Sequence, residues 1–331
     1  MTNTLDILRR SILELKKAGI KSAEIDAKLL LTKSISKDDV FMFSHPEYLL
    51  TNQEYGGFRR LIRKRKTGEP IAYILGHKEF YGNDFIVNKN VLIPRPETEW
   101  LVERGIEFIK KRHSEPEFSG EESQPSKKDP SVSPQDDNIQ VLDMGTGSGC
   151  IIISLVKELT TYNLQLNTNF YACDISKKAI AVTKKNSKLH KVDNYVKFYV
   201  SNLFSNRLLN KKFDLIIANL PYVPRSKIQS PKLSFESEPE SSSLRVEDKV
   251  LNPISFEPRN AIFAKDNGAE IIKNFLEQAQ SRIAPNGLIL LELDPRNAKE
   301  ILSFAKKQYP NAKVKLEKDL AKLDRYIKIS V

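Results

Sequence analysis

The segment around residue 145 alternates glycines with small polar residues directly after an apolar stretch. Glycine lets a backbone turn sharply and approach a ligand closely. The apolar run at 151–153 indicates a following helix, whose first N–H groups have no partner within the helix. A loop of this kind can bind a nucleotide-type cofactor. The candidate residues are Asp143, Gly145, Thr146, Gly147, Ser148 and Gly149.

Two acidic residues indicate the class of cofactor. Asp174 follows the next apolar run, roughly 25 residues beyond Gly149, where a carboxylate can accept hydrogen bonds from ribose hydroxyls. Asp143 precedes the first glycine, in a spacing that differs from the dinucleotide pattern. A carboxylate there would repel a pyrophosphate and attract an ammonium or sulfonium group. The sequence therefore favours a cofactor with positive charge.

Four residues after a second buried strand could hold a planar nitrogen group. The run 213–218 delivers Asn219, Leu220, Pro221 and Tyr222 to the carboxyl end of the predicted sheet, where open α/β sheets bind ligands. An amide or amino nitrogen is a poor nucleophile because its lone pair is delocalised, so it needs acceptors for its N–H groups. Asn219 can offer its side-chain oxygen, Leu220 its carbonyl, and Tyr222 a wall for the pocket. Catalysis there would consist mostly of positioning.

Apolar runs and helical patterns alternate through the second half of the chain. This alternation predicts an α/β fold with a mostly parallel sheet and helices on both faces. Predicted helices include 150–159 and 177–189. Glu292 ends one predicted strand at the ligand edge, where it could approach the site, although a structural role is the favoured interpretation. The predicted strands are 140–144, 169–173, 196–200, 213–218, 288–293, 313–317 and 326–330.

The N-terminal part of the chain has a helical pattern. Apolar residues recur at helical spacing between 4 and 76, with a predicted helix cap at Ser22. A further helix is predicted at 53–66, with its basic residues on the solvent face. The β-rich runs 85–87 and 91–93 predict the two strands of a β-hairpin.

These patterns divide the chain into three parts. We predict a helical substrate-binding domain at 1–76, a β-hairpin linker at 77–98 and a catalytic domain at 99–331. Within the last part, residues of about 113–137 and 228–248 are rich in serine, proline and acidic residues. Such segments bury too little apolar surface to order themselves, so both are predicted to be flexible insertions.

Composition excludes several classes of protein. The 331 residues carry a net charge of +11, with 40% hydrophobic residues and two cysteines. The apolar content excludes a wholly disordered chain, and no run approaches the roughly 18 apolar residues that cross a bilayer. The N-terminus lacks the pattern of a signal peptide. No CxxC or histidine spacing suggests a metal site. We expect a soluble cytoplasmic protein without a metal, in which Cys150 and Cys173 pack as small hydrophobes.

Several motifs resemble those of known methyltransferases. The glycine loop resembles the S-adenosylmethionine loop of class I (Rossmann-like) methyltransferases, and 219–222 resembles the Asn-Pro-Pro-Tyr motif of enzymes that methylate planar nitrogens. Three further stretches are similar to the HemK/PrmC family of release-factor glutamine methyltransferases. They are Gly-Glu-Pro-Ile-Ala-Tyr-Ile-Leu-Gly at 68–76, Glu-Phe-Tyr-Gly at 79–82 and Leu-Ile-Pro-Arg-Pro-Glu-Thr-Glu at 92–99. The likeness extends to 257–258 and 319–325, and omits the two insertions.

The resemblance implies an S-adenosylmethionine-dependent protein-(glutamine-N5) methyltransferase. By position, the glycine loop and Asp174 would bind S-adenosylmethionine, while Asn202 and Leu203 would flank its adenine. Asn219 and Leu220 would hold the substrate amide, and Asn219 would also border the cofactor. The implied substrate is the glutamine of the Gly-Gly-Gln tip of peptide chain release factors, and the product is N5-methylglutamine. Nucleic acid would not be required, and we expect a monomer.

Three positions depart from the family pattern. Leu220 stands where the family usually has proline, so it keeps the carbonyl acceptor but adds an N–H and loses the constraint of the ring. Asn202 replaces a usual aspartate and can still accept a hydrogen bond from an adenine amino group. Leu203 lacks the aromatic face that some members have there.

Two other functions fit part of the pattern. An N-methyltransferase acting on the exocyclic amino group of adenine or guanine in DNA or RNA would use the same Asn219 loop, and the charge of +11 suits it. The helical N-terminal part and the 94–99 motif argue against it. The second alternative is a helical interaction module fused to a decayed methyltransferase fold. Intact Asp143, Asp174 and Asn219, together with the glycines, argue against decay.

Overall fold

The computed structural model describes residues 3–114, 138–161, 167–221, 223–224, 253–258, 263–264 and 269–331. These residues fall into two compact units, one containing 3–78 and 253–257 and the other containing the remainder. Nearly all of the predicted insertion 113–137 and the whole of 228–248 lie outside the described residues. Residues 113 and 114 complete a helix rather than begin an insertion.

The first unit is a small helical domain. Its helices pack around a core that includes the fully buried Leu15, Leu30, Leu31, Phe58 and Ile62. The helices are α1 (Thr4–Lys17), α2 (Ala23–Ile35), α3 (Asp39–Ser44), α4 (Asn52–Lys66) and α5 (Ile71–Leu75). The apolar residues recur at helical spacing because they line this core.

A buried ion pair joins α2 to α4 and overturns two local expectations. Arg65 was expected on the solvent face of its helix, but it is 8% exposed and its Nε donates to Asp26 Oδ2 at 2.7 Å. Ser22 precedes α2 as predicted, yet its hydroxyl donates to Asp26 Oδ2 at 2.8 Å and makes no capping bond. The Ser22 hydroxyl thus donates a charge-assisted hydrogen bond to the Asp26 carboxylate.

A β-hairpin lies inside the predicted linker, but its strands differ from those predicted. β1 (His77–Phe80) and β2 (Asn83–Ile86) form a two-stranded sheet. Tyr81 and Gly82 between them have φ values of 51° and 68°, as the tightest hairpin turns require. The predicted strand pair 85–87 and 91–93 is therefore wrong. Val87, Val91 and Ile93 are buried, but they lie outside the strands of the hairpin.

The second unit is built on a seven-stranded sheet in the order β10-β11-β9-β6-β3-β4-β5. The strands β3, β4, β5, β6 and β9 run parallel to one another. β11 is antiparallel to β9 on one side and to β10 on the other. The predicted strands and the mostly parallel α/β sheet are confirmed. The strands are β3 (Ile139–Met144), β4 (Thr168–Asp174), β5 (Val196–Val200), β6 (Phe213–Ala218), β9 (Ile283–Glu292), β10 (Lys313–Lys318) and β11 (Asp324–Ser330), and a separate short pair joins β7 (Val223–Pro224) to β8 (Phe263–Ala264).

Helices cover both faces of this sheet. In β3, Val141 belongs to one buried cluster while Leu142 and Met144 belong to the other, so alternate side chains enter two cores. Strands buried on both faces give the continuous apolar runs seen in the sequence. Within the described residues, no helix is long and apolar enough to cross a membrane. The helices are α6 (Glu99–Ser114), α7 (Cys150–Thr160), α8 (Lys177–Leu189), α9 (Glu270–Gln280) and α10 (Ala298–Gln308).

The strand order creates a crevice at the carboxyl edge. β3 pairs with β4 on one side and with β6 on the other, so the connections that follow β3 and β6 leave in opposite directions. Open α/β sheets bind ligands at such a switch point. Met144 and Ala218 are partners in register. The segments that follow them, the glycine loop and the 219–222 loop, therefore start side by side.

We predict that the Arg65–Asp26 pair contributes strongly to the stability of the helical unit. Their side chains are only 10% and 3% exposed. Arg65→Met should lower the free energy of unfolding by about 3–5 kcal/mol, because it leaves a buried carboxylate without its partner. Chemical denaturation measures this. Lys16→Met is the matched control, since Lys16 and Glu24 pair at 53% and 67% exposure and such pairs contribute about 1 kcal/mol or less. Equal losses in the two variants would contradict the prediction.

Candidate active site

The glycine loop between β3 and α7 is curled by residues with positive φ. Gly145, Gly147 and Gly149 have φ values of 77°, 56° and 83°, a region that glycine enters without steric cost. The N–H groups of Gly145 and Thr146 both donate to the Cys173 carbonyl, at 2.8 and 2.9 Å. The loop is therefore anchored to the end of β4.

Gly149 allows α7 to approach α8 closely. A Cβ at this position would lie 2.6 Å from Thr183 Cγ2 and 2.9 Å from Ile153 Cδ1, both closer than real Cβ contacts. The Thr183 hydroxyl also donates to the Gly147 carbonyl at 2.8 Å. Helix α8 thus supports the glycine loop from behind.

Asn186 on α8 connects the hairpin to the glycine loop. This fully buried side chain accepts a hydrogen bond from the N–H of Ile86 at 2.7 Å through Oδ1. Its Nδ2 donates to the carbonyls of Ile86 and Ser148, at 3.0 and 2.8 Å. Sequence reasoning missed Asn186, because an asparagine inside a helical pattern gives no local signal of contacts so distant in sequence.

Asp174 joins the end of β4 to the glycine loop. Its Oδ2 accepts from the N–H of Gly147 at 3.0 Å, and its Oδ1 accepts from the N–H of Ser176 at 2.8 Å. Burial raises the pKa of this carboxyl, and the two N–H groups oppose the rise. A carboxylate offers about four lone-pair directions. Each oxygen can therefore still accept a hydroxyl hydrogen from a ligand.

Asp143 is a buried carboxyl with one unsatisfied oxygen. It is 0% exposed, and its Oδ2 accepts from the Thr146 hydroxyl at 2.7 Å. Its Oδ1 has no hydrogen-bond partner in the described part of the chain. The pKa of Asp143 is raised to about 7, mainly by burial and also by the nearby Asp174 charge, while the Thr146 hydroxyl and the Ile152 N–H oppose the rise. A positively charged ligand beside the loop would stabilise the ionised form.

Residues after β5 form another wall of the crevice. Leu203 is 8% exposed and has a φ of 48°, which is uncommon for a residue with a side chain. The Ser201 hydroxyl donates to its carbonyl at 2.5 Å and helps to hold it there. The neighbouring Asn202 is exposed. Residues in such conformations cluster at ligand sites.

The loop after β6 packs directly on the glycine loop. Leu220 is 4% exposed, and its Cδ2 lies 3.0 Å from the position that a Cβ on Gly145 would occupy. Its leucine side chain is therefore anchored in the core. Pro221 is half-buried, and Tyr222 lies outside the described residues. The predicted role of Tyr222 as a wall of the pocket stays a prediction.

The side chain of Asn219 is held by two oxygen groups. Its Nδ2 donates to Glu292 Oε2 at 2.9 Å and to Thr98 Oγ1 at 3.1 Å. The Thr98 hydroxyl in turn donates to Glu292 Oε2 at 2.7 Å. Glu292, for which a structural role was favoured over an approach to the site, thus contacts a predicted site residue. The signal in the sequence that could have indicated this role is that Glu292 is an acidic residue at the end of an otherwise apolar strand.

A cavity of about 340 Å³ lies at this edge of the sheet. Its volume is within the range of small-molecule sites. Asp143 and Gly149 do not line the cavity, whereas Lys89, Leu92 and Arg95 do, although sequence reasoning did not assign them. Ten of the predicted site residues line this cavity: Gly145, Thr146, Gly147, Ser148, Asp174, Asn202, Leu203, Asn219, Leu220 and Pro221.

We predict that Asp143 makes the stability of the ligand-free protein depend on pH. Its pKa is near 3.8 in an unfolded chain and about 7 in the folded protein, so the folded state binds the proton more tightly. Between those values the stability falls as pH rises, by on the order of a few kcal/mol. Asp143→Asn should flatten this dependence, as measured by denaturant unfolding from pH 5 to pH 8. Identical slopes in the two proteins would contradict the prediction.

Comparisons with known proteins bear on both units. Residues 6–76 match the family described as PrmC N-terminal domain, and residues 135–319 match a methyltransferase domain family. The "Release factor glutamine methyltransferase" of Koribacter versatilis is 34% identical over 279 residues, covering 84% of this chain and 82% of that protein. The protein of the same description from Leptospira interrogans is 32% identical, and the match covers 98% of this chain and 96% of that protein.

Longer relatives are also similar. The "Bifunctional methyltransferase" of Rickettsia bellii is 35% identical over 300 residues, covering 89% of this chain but 49% of that protein. The chain thus spans about half the length of these bifunctional relatives. Similarity over nearly the full length of the shorter relatives, together with both domain matches, shows that the chain belongs to the HemK/PrmC family of release factor glutamine methyltransferases.

Proposed function

We propose that the protein transfers a methyl group from S-adenosylmethionine to the side-chain amide nitrogen of the glutamine in the Gly-Gly-Gln motif of peptide chain release factors. The observation that carries this proposal is the orientation of Asn219. Its Nδ2 faces Glu292 and Thr98, so its Oδ1 is available to a substrate N–H in a cavity that the glycine loop also lines. Family membership supports the choice of substrate.

The residues around the glycine loop fit S-adenosylmethionine. Asp174 retains lone pairs for ribose hydroxyls, and Asn202 and Leu203 lie on the cavity wall where an adenine would bind. Asp143 is fully buried and does not line the cavity, but its carboxylate beside the glycine loop would favour a ligand with an ammonium and a sulfonium group through charge. When bound, S-adenosylmethionine supplies an electrophilic methyl group.

The chain's own groups would act mainly by positioning the substrate amide. Asn219 Oδ1 and the Leu220 carbonyl would each accept one N–H of the glutamine side chain. Two acceptors fix the plane of the amide and direct its nitrogen at the methyl group, which lowers the entropic part of the barrier. The bond from the methyl carbon to the sulfonium sulfur would break as the bond to the amide nitrogen forms, and the nitrogen would then lose one proton. A strong general base is not needed if that proton leaves after methyl transfer.

The direct test is incubation with S-adenosylmethionine and a purified release factor, followed by mass spectrometry of the Gly-Gly-Gln peptide. We expect one added methyl group on the glutamine, and none on a release factor whose glutamine is replaced by alanine. RNA and DNA are incubated in parallel, because the net charge of +11 also suits a nucleic-acid substrate. Methyl transfer to nucleic acid alone would refute the proposal. Monomeric state and cytoplasmic location stay predictions.

We predict that Asn219→Ala removes turnover but not cofactor binding. The variant loses the side-chain oxygen that would orient the substrate amide, and misplacement on this scale costs about 100-fold or more in rate. Calorimetry with S-adenosylmethionine and steady-state kinetics with release factor separate the two effects. Comparable losses of affinity and turnover would instead assign Asn219 to folding or to cofactor binding.

A further inference from the structure

We infer that Glu292, with Thr98, is a positioning residue that fixes the flip of the Asn219 side-chain amide, and that this choice of flip selects an amide substrate over a carboxylate. The inference rests on the proposed function, since it concerns the same site. Glu292 and Thr98 act through Asn219 and are not among the groups proposed to touch the substrate.

Two buried polar side chains, Glu292 and Thr98, form a hydrogen-bonded triangle with the half-buried Asn219 at the carboxyl edge of the sheet. Glu292 is 1% exposed and Thr98 is 3% exposed. Glu292 Oε2 accepts from the Thr98 hydroxyl at 2.7 Å and from Asn219 Nδ2 at 2.9 Å. Asn219 Nδ2 lies 3.1 Å from Thr98 Oγ1. Water has little access to Glu292 and Thr98, so the protein must supply their hydrogen bonds.

The chemistry of the two partners determines which way the amide points. An ionised carboxylate only accepts hydrogen bonds. The single hydrogen of the Thr98 hydroxyl is directed to Glu292, so Thr98 Oγ1 accepts from Asn219. Both partners therefore require the NH₂ end of the amide. The opposite flip would place Asn219 Oδ1 against Glu292 Oε2 and Thr98 Oγ1 with no hydrogen between them, which is costly for buried groups.

Rigid elements hold the two positioning residues. Glu292 ends β9, and its partner in register on β11 is Tyr326. The Tyr326 hydroxyl donates to the Glu97 carbonyl at 2.6 Å, and its ring stacks on Trp100 with centroids 4.2 Å apart. These contacts fix the chain on both sides of Thr98. The triangle thus joins β9, the end of β6 and the start of α6.

The fixed flip has a consequence for substrate choice. With its NH₂ end engaged, Asn219 presents Oδ1, and the Leu220 carbonyl is a second acceptor in the proposed site. A glutamine amide supplies two N–H groups to this pair. A glutamate carboxylate has no N–H group. Its own lone pairs would face the two acceptor oxygens, which would then lack hydrogen-bond donors. A site built to receive N–H groups rejects an analogue that lacks them far more strongly than a shape difference would.

The test compares Glu292→Gln, Thr98→Val and Thr98→Ser with wild-type protein on a release factor. The glutamine of the first variant can present either end of its amide to Asn219, and the valine of the second lacks the hydroxyl. We therefore expect both variants to lose kcat by about tenfold or more. Thr98→Ser keeps the hydroxyl and should recover most of the rate. Affinity for S-adenosylmethionine, measured by calorimetry, and thermal stability should change little compared with kcat.

Two variants at the opposite edge of the sheet serve as matched controls. Asp214 lies near the start of β6 and pairs with Arg112 at 2.9 Å, and Thr168 begins β4 with 6% exposure. Asp214→Asn and Thr168→Val remove the same chemical groups from buried or partly buried positions outside the site. They should keep the wild-type kcat even where they lower stability. Equal kcat losses in the controls and the site variants would overturn the inference.

A double-mutant cycle separates positioning from a general structural role. If Glu292 acts through Asn219, then Glu292→Gln added to Asn219→Ala should lower kcat by less than about twofold further, since the group that it orients is already absent. Fully multiplicative losses would overturn the inference. Wild-type protein that methylates no release factor would refute the proposed function as well. Active wild-type protein with fully active Glu292→Gln and Thr98→Val would refute this inference alone.

Discussion

Parallel pairing of β3 with β6 is the constraint on which the site depends. Met144 and Ala218 are partners in register, so the residues that follow them leave the sheet next to each other. The glycine loop then leads into α7, while Asn219 and Leu220 continue beside the loop. A slip of the register by one residue would turn the side chains of β6 to the other face. The two loops meet because both strands are buried on both faces and hold that register.

Two buried acids at this edge are stabilised in different ways. Glu292 is compensated within the protein by Asn219 and Thr98. Asp143 has one hydroxyl donor, and its second oxygen is unsatisfied in the described chain. Removing a carboxylate from water costs several kcal/mol unless partners replace the lost hydration. In the proposed function, Glu292 orients Asn219, and the ionised form of Asp143 is stabilised by the positive charge of a ligand beside the glycine loop.

Much of the fold and part of the site follow from local sequence. The strands of the large sheet could be predicted because burial on both faces leaves continuous apolar runs, and the glycine loop because a curled backbone needs glycine. The hairpin was misplaced because the apolar residues at 87, 91 and 93 are buried outside its strands. Glu292 and Asn186 were undervalued or missed since their partners are 73 to 194 and 38 to 100 residues away. Sequence spacing contains no record of such contacts.

The leucine at 220 shows how the loop can be held without the ring of a proline. Proline would restrict the backbone covalently and remove an N–H. Leu220 instead buries its side chain in the core, with Cδ2 against the open face of Gly145, and burying a leucine contributes about 1.5–3 kcal/mol. The restriction therefore comes from packing between the two loops. The Leu220 side chain occupies the space beside Gly145 that a side chain there would need. The glycine at 145 therefore allows both the backbone turn and the packing that holds the Asn219 loop in place.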